Sequence, residues 1–391
     1  MIVRKLLVSF AILLNGLAFS GCGVVDSAVE NVSSIVGFSE TGTVIANKAQ
    51  IRSSYAVVAA DLLEIKRGEK LDILDEVDFE KVHWYRVRAN DEDDTEGWIE
   101  AQNVITSKLL EKSRKIAEED KDLQQQAIGQ LRAASNLRLS PEQIDSNILF
   151  KLDNGSNFEI TSWKFVPKAV DSADVDDASK GEQKQTKGRT KNAEIEAAKE
   201  ANEPEKLDEK YDIWYKVRLD PSVSPAPAGW LLGRQVELLV PSDITFYQHN
   251  NRKFVTWHRL DNFELSEGTS IKDRDSSKGS KPGSWVILSR SNVVKAIDGV
   301  EPDFDGIQIL GYDKYKQEHY KAYRSGDVWG VLPLTVEGTG MNKTITLRLR
   351  SADGQIEDKR FVVFRDKERL KVNPPEDIES FQKQLGKDQF D

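Results

Sequence analysis

The 391-residue sequence predicts a mainly β protein assembled from several small domains, on three observations. Short β-branched and aromatic runs broken by Gly, Asp and Asn recur along most of the chain, the pattern of antiparallel strands and tight turns. A set of motifs in residues 41–106 returns in the same order within residues 129–241. Between them, residues 107–128 contain neither Pro nor Gly and many strong helix formers, which predicts one connecting helix. In that segment Leu109, Ile116 and Leu123 stand seven apart, a narrow stripe suited to docking on a neighbouring domain.

Composition bounds the function. With 31% charged residues, 39% apolar residues and a mean hydropathy of -0.52, the bulk of the chain is not a polytopic membrane protein. A formal net charge of -10 and a pI near 5.2 argue against nucleic acid as a partner, since phosphate backbones reward clustered Lys and Arg.

Residues 1–21 begin with Arg4 and Lys5, continue through the apolar run from Leu6 to Leu14 and close on small residues, the order of a secretory signal peptide. That run is shorter than the roughly 20 residues a permanent spanning helix needs, so its removal is expected. Cys22 is the sole cysteine, which excludes an intrachain disulfide. Ala18-Phe19-Ser20-Gly21-Cys22 resembles the lipobox of bacterial lipoproteins, although Phe19 stands where that family usually has Leu, Val or Ile. The resemblance implies that Cys22 is lipidated, with acyl chains such as palmitate, and becomes the mature N-terminus. At about 0.8 kcal/mol per buried methylene, several acyl chains would hold the protein on a membrane. Gly23 in place of Asp implies delivery to the outer membrane, facing the periplasm. Residues 22–40 read as a lipidated tether.

The repeat carries the next inference. Gln50-Ile-Arg-Ser53, Gly68, Leu71, Trp84-Tyr85-Arg86-Val87 and Gly97-Trp98-Ile99 are matched by Asn136-Leu-Arg-Leu139, Gly155, Phe158, Trp214-Tyr215-Lys216-Val217 and Gly229-Trp230-Leu231. Gly68 to Gly155 and Leu71 to Phe158 are both offset by 87, whereas Trp84 to Trp214 is offset by 130. The extra length lies in residues 168–210, a charged, aromatic-poor insert expected to be disordered, with its ends close together. Order and residues together resemble the bacterial SH3 (SH3b) domain of secreted wall-associated proteins. The resemblance implies two small SH3-like β barrels, residues 41–106 and 129–241, that bind peptidoglycan or wall peptides without catalysis. Alternation along a strand would turn Trp84 and Trp214 inward and leave Tyr85 and Tyr215 in a groove. Tyr85, Tyr215, Trp98 and Trp230 are therefore the candidate ligand-binding residues, and the glycine before Trp98 and Trp230 is expected to supply an unusual φ.

Residues 242–372 carry further strand-like runs, among them Phe254–His258, Trp285–Leu288, Ile307–Leu310 and Arg360–Arg365, and predict a C-terminal β-sandwich of immunoglobulin-like type before a charged tail, 373–391. No catalytic unit is legible there. A thiol peptidase lacks its cysteine, and His83, His249, His258 and His319 are scattered without the spacing of a zinc site, so no catalytic residue, metal or cofactor is assigned. Lys272–Asp275 and Glu301–Asp305 lack the spacing of a calcium loop and read as solvated turns. Two other readings remain, an envelope scaffold that binds proteins and a wall hydrolase concealed in residues 242–372.

Overall fold

The computed structural model describes residues 40–168, 210–248, 252–261, 282–291, 293–340, 342–351 and 353–383. The signal segment, Cys22, the tether up to residue 39, most of the insert, the turn at 272–275 and the tail beyond residue 383 lie outside the described residues. Among those described the chain is mainly β, with antiparallel sheets and two α-helices, and no helix is long and apolar enough to cross a membrane. It divides into two compact units, Met1–Ser107 and Lys108–Asp391.

The first unit holds β1 (Glu40–Val44), β2 (Lys48–Arg52), β3 (Asp61–Lys66), β4 (Lys70–Phe79), β5 (Val82–Ala89), β6 (Glu96–Glu100) and β7 (Val104–Thr106), in the sheet order β3-β2-β6-β5-β4-β1-β7. Val44, Ile51, Ile65, Leu71, Val87 and Ile99 lead its apolar core. Helix α1 (Ser107–Glu119) starts at the boundary, and all but its first residue belongs to the second unit. That unit continues through β8 (Ala127–Leu131), β9 (Ser135–Arg138), β10 (Ile148–Leu152), β11 (Asn157–Pro167), β12 (Tyr211–Arg218), β13 (Ala228–Leu232) and β14 (Val236–Leu238). Their order, β10-β9-β13-β12-β11-β8-β14, is that of the first sheet, strand for strand.

The repeat extends to register. Arg86 faces Trp98 and Val87 faces Gly97 across β5 and β6, as Lys216 faces Trp230 and Val217 faces Gly229 across β12 and β13. A bulge falls between Ile73 and Asp75 in one sheet and between Ile160 and Ser162 in the other. The insert occupies one turn. Phe79 and Val82 are joined by two residues, whereas Pro167 pairs with Tyr211 and the Lys168 amide donates to the Lys210 carbonyl at 3.0 Å, so the ends of the insert meet.

Two sequence expectations are corrected. Gly97 and Gly229 do not adopt positive φ, whereas Gly68 and Gly155 do, at 88° and 79°. A Cβ on Gly97 would lie 2.5 Å from the Arg52 carbonyl oxygen, and one on Gly229 2.9 Å from that of Arg138. The Gly-Trp motif therefore exists for close strand approach. The connecting helix ends at Glu119 rather than 128, and its buried stripe is Leu110, Ser113 and Ile116. Asp120 is the first residue beyond the helix, and its carboxylate is fully engaged. It accepts from the nearly buried Lys216 Nζ at 2.8 Å and from the Thr161 hydroxyl at 2.7 Å. Lys216 thereby sits at the helix C-terminus, where a cation is favoured. The Ser113 hydroxyl donates to the Ala228 carbonyl at 2.6 Å and seats the helix on β13.

The C-terminal part contains β15 (Lys253–Arg259), β16 (Trp285–Arg290), β17 (Gly306–Asp313) and β18 (Glu318–Arg324) in one sheet. A second sheet holds β19 (Gly330–Glu337), β20 (Lys343–Arg350), β21 (Ile356–Asp366) and β22 (Arg369–Asn373). Val286, Leu288, Ile307 and Ile309 from the first sheet share one core with Ile345, Leu347, Phe361 and Val363 from the second. Each sheet runs in sequence order. The immunoglobulin-like connectivity expected from sequence requires Greek-key connections, and these two meanders have none. The charged tail contributes helix α2 (Ile378–Lys383), whose Ile378 and Phe381 join the same core.

Residues 124–126 tie the second repeat to these sheets. The Gln124 side-chain amide donates to the Val336 carbonyl at 3.0 Å, and its oxygen accepts from the Val336 amide at 2.8 Å. Gln126 makes the same pair with Leu334, at 3.0 and 2.9 Å. Two side chains thus stand in for a neighbouring strand along the β19 edge. The segment Glu301–Asp305, read from sequence as a solvated turn, is instead part of the same junction. Asp303 accepts from the Trp163 indole at 3.1 Å and the Leu332 amide at 2.8 Å, and the fully buried Asp305 accepts from the Ser291 amide and hydroxyl and from Arg252.

Two ionisable groups near this junction titrate against each other. His258 Nε2 is buried without a partner, and burial holds the imidazole down to about 4 from its ordinary 6.5. Burial raises Asp303 from 3.8 to about 6, against the pull of the Leu332 amide and the Trp163 indole. For His258 the unfolded chain binds the proton better, so its contribution is full above pH 6.5 and is lost as pH falls from 6.5 to about 4. For Asp303 the folded chain binds it better, so stability is gained as pH falls from about 6 to 3.8. Asp303→Asn is expected to lose roughly 3 kcal/mol more than wild type between pH 6.5 and 4, and His258→Asn to reverse that slope. Urea midpoints of the second unit at pH 6.5, 5 and 4 check both.

Candidate functional site

Arg52, at the end of β2, organises the loop that follows. Its guanidinium donates to the carbonyls of Val57 at 3.0 Å and Ala59 at 3.3 Å and lies 3.6 Å from Asp61. The loop so held presents Tyr55. The Tyr55 ring stands edge-on to Trp98 of β6, with centroids 5.0 Å apart at 90°, and lies 5.0 Å from Phe79 at the end of β4. All three rings are half-buried, and Val57 and Val58 beside them are 81% and 94% exposed. Three elements thus converge on an open aromatic platform. Its flank is the β4–β5 hairpin, which carries Asp75, Glu76, Asp78 and Glu80, with His83 Nδ1 2.8 Å from Asp78 and Nε2 3.4 Å from Glu76.

Of the four sequence candidates, Trp98 belongs to this platform and Tyr85 does not. Tyr85 shares its strand face with Val87 and Ala89 and packs against the apolar core, where burial, with Glu76 and Glu40 nearby, raises its hydroxyl. Trp84 takes the other face and is nevertheless 5% exposed. Trp84 is therefore buried as expected, whereas Tyr85 lies against the core on the opposite face rather than in a groove. Tyr215 lies edge-on to Trp163 at 6.1 Å, and Trp163 packs against the C-terminal core. Trp230 is half-buried, paired across strands with Lys216 and Arg138. These four residues form no single site. Tyr55 and Phe79 were missed, and the signal for Tyr55 was an apolar run, Tyr55-Ala-Val-Val58, preceded by the turn-forming Ser53-Ser54.

The second repeat does not reproduce the platform. Its loop, residues 139–147, has no aromatic residue, and the positions of Glu76 and Asp78 hold Trp163 and Phe165. Those rings are occupied, Trp163 by Asp303 and Phe165 by the Arg290 guanidinium at 4.9 Å from its centroid. Among the described residues no group of three or more His, Cys, Asp or Glu is placed to hold a metal ion.

No family model matches the chain, and no curated protein matches it. Solved structures similar to it include NlpC2 from Trichomonas vaginalis, at 10% identity over 86% of this chain and 96% of that one, with a TM-score of 0.15. An NlpC/P60 family protein from Bacillus cereus ATCC 10987 gives 9%, 87%, 97% and 0.18, and NlpC1 from Trichomonas vaginalis gives 11%, 86%, 91% and 0.14. At these TM-scores the likeness defines neither fold nor activity.

The hairpin beside the platform carries a cost. Glu80 and Lys81 form its two-residue turn at φ 49° and 66°, a conformation that Asn-Gly adopts with ease and ordinary side chains do not. Glu80→Asn with Lys81→Gly is expected to stabilise the first unit by about 1 kcal/mol, read as a higher urea midpoint of that unit.

Proposed function

We propose that the protein is a non-catalytic lipoprotein of the cell envelope, held by lipid on Cys22 at the outer membrane facing the periplasm. In this reading the repeats are SH3-like barrels, and the first binds peptidoglycan or wall peptides on Tyr55, Phe79 and Trp98. The observation that supports it most is the contrast between the copies. In one the hairpin flanks an open aromatic platform, and in the other the hairpin is spent on Asp303 and Arg290 of the same chain. Aromatic faces suit sugar rings and extended peptides, which meet them with flat apolar surfaces. The second barrel and the C-terminal sandwich then act as a rigid support, and the lipid raises the effective concentration of the first barrel near the wall.

Co-sedimentation of the chain with insoluble purified peptidoglycan tests this. Wild type is expected to pellet, and Tyr55→Ala with Trp98→Ala to lose at least tenfold in bound fraction, while Tyr215→Ala binds as wild type. A folded wild type that stays in the supernatant would sink the proposal.

A further inference from the structure

The loop between β2 and β3 carries an unbroken apolar run, Tyr55-Ala-Val-Val-Ala-Ala60, with Val57 and Val58 81% and 94% exposed in its middle. The fold does not require this run. Arg52 and Arg138 are equivalent, since each faces the tryptophan of a Gly-Trp motif. Arg138 anchors the matching loop of the second repeat in the same manner, donating to the Ile144 carbonyl and the Asn147 side chain. Yet that loop reads Pro141-Glu-Gln-Ile-Asp-Ser146 in its middle, a mainly polar run. One arginine staple thus holds either kind of loop, and the two valines are not there to form it. An exposed apolar patch of this kind marks a contact outside the molecule.

The loop backbone selects the partner. Val57 and Ala59 carbonyls accept from the Arg52 guanidinium, the Ala56 carbonyl from the Ala59 amide at 3.1 Å and the Ala60 carbonyl from the Ser53 amide at 2.9 Å. The Ala56 and Ala60 amides donate to the Ser54 and Ser53 hydroxyls at 3.0 and 3.1 Å. A peptide that adds as a strand needs such groups free, whereas an apolar medium needs them satisfied within the chain. We propose that this tip seats in the interface of a lipid bilayer, with Val57 and Val58 at the acyl boundary and Tyr55 at headgroup level. Residues 40–107 hold 15 acidic against 8 basic residues, so a zwitterionic leaflet is preferred over an anionic one. Two valines are a small apolar payload, and a bilayer retains them only when the chain is already held at its surface. Seating therefore rests on the reading that lipid on Cys22 keeps the protein there. The segment from Cys22 to Glu40 reaches at most about 65 Å when extended, enough to lay the first unit on that membrane. Seating does not depend on wall binding, but Tyr55 is common to both, so a seated tip withholds that ring from the wall.

Methyl NMR of the chain from Cys22 onward, coupled through that thiol to a maleimide lipid in phosphatidylcholine nanodiscs, tests the assignment. Cys22 is the sole thiol, and the coupling supplies the anchor whether or not the cell acylates it, so failure of the lipidation reading leaves the test intact. A nitroxide on the acyl chains is expected to broaden the Val57 and Val58 methyl signals. It is expected to broaden those of Ala56 and Ala59 at least fivefold more in wild type than in Val57→Asp/Val58→Asp, whose changes lie at exposed positions. Wild-type signals that stay sharp, or equal broadening of Ala56 and Ala59 in the variant, would overturn it. So would a dimer in free solution that the variant abolishes, since the tip would then belong to a second copy of the chain.

Discussion

Gln126 is the residue on which the second unit turns. Its backbone amide donates to the Ile160 carbonyl of the second repeat at 2.8 Å, its carbonyl accepts from the Thr256 hydroxyl on β15, and its side chain pairs both ways with Leu334 on β19. One fully buried glutamine thus satisfies groups from three sheets. A primary amide can do this because it offers the donor and acceptor pair of a peptide unit without belonging to the strand it serves. Any apolar replacement would leave the edge amide and carbonyl of Leu334 buried without partners, a cost of about 1–3 kcal/mol for each group.

With that junction in place, the divergence of the two repeats has a physical logic. The second copy spends its outer surfaces on its own chain. Lys216 and Ala228 receive helix α1, and Trp163 and Phe165 receive Asp303 and Arg290. The equivalent cations of the first copy, Arg86 and Arg88, are satisfied locally by Glu96, at the position of Ala228, and remain partly exposed. The second copy thus covers these surfaces with its own chain, whereas the first leaves the rings of Tyr55, Phe79 and Trp98 partly exposed.

Most of the architecture was legible because the repeat is written in residues with strict backbone demands. The two turn glycines need positive φ, the glycines before Trp98 and Trp230 need room for a neighbouring strand, and Arg52 and Arg138 each hold a loop through backbone carbonyls or an amide side chain. Offsets between such residues also located the insert at one hairpin turn. What was not legible depends on contacts distant in sequence. Period-two alternation separates the faces of β5 but does not say which face meets the core, so Tyr85 was placed in a groove. Nothing local distinguishes Gln124 and Gln126 from the charged helix before them, nor Asp303 and Asp305 from a solvated turn, because their partners lie far along the chain. Tyr55 and Phe79 meet Trp98 only through the fold, as no spacing in the sequence joins them.

Native-state hydrogen exchange at the Leu334 and Val336 amides tests the junction most directly. If the glutamine pairs fasten the second repeat to the C-terminal sheets, both amides open together with Ile160 and Val217 in wild type. Gln124→Ala with Gln126→Ala would then speed Leu334 and Val336 at least tenfold while leaving Ile345 and Leu347 in the sheet interior slow. Unchanged protection of Leu334 and Val336 in that variant would contradict the account.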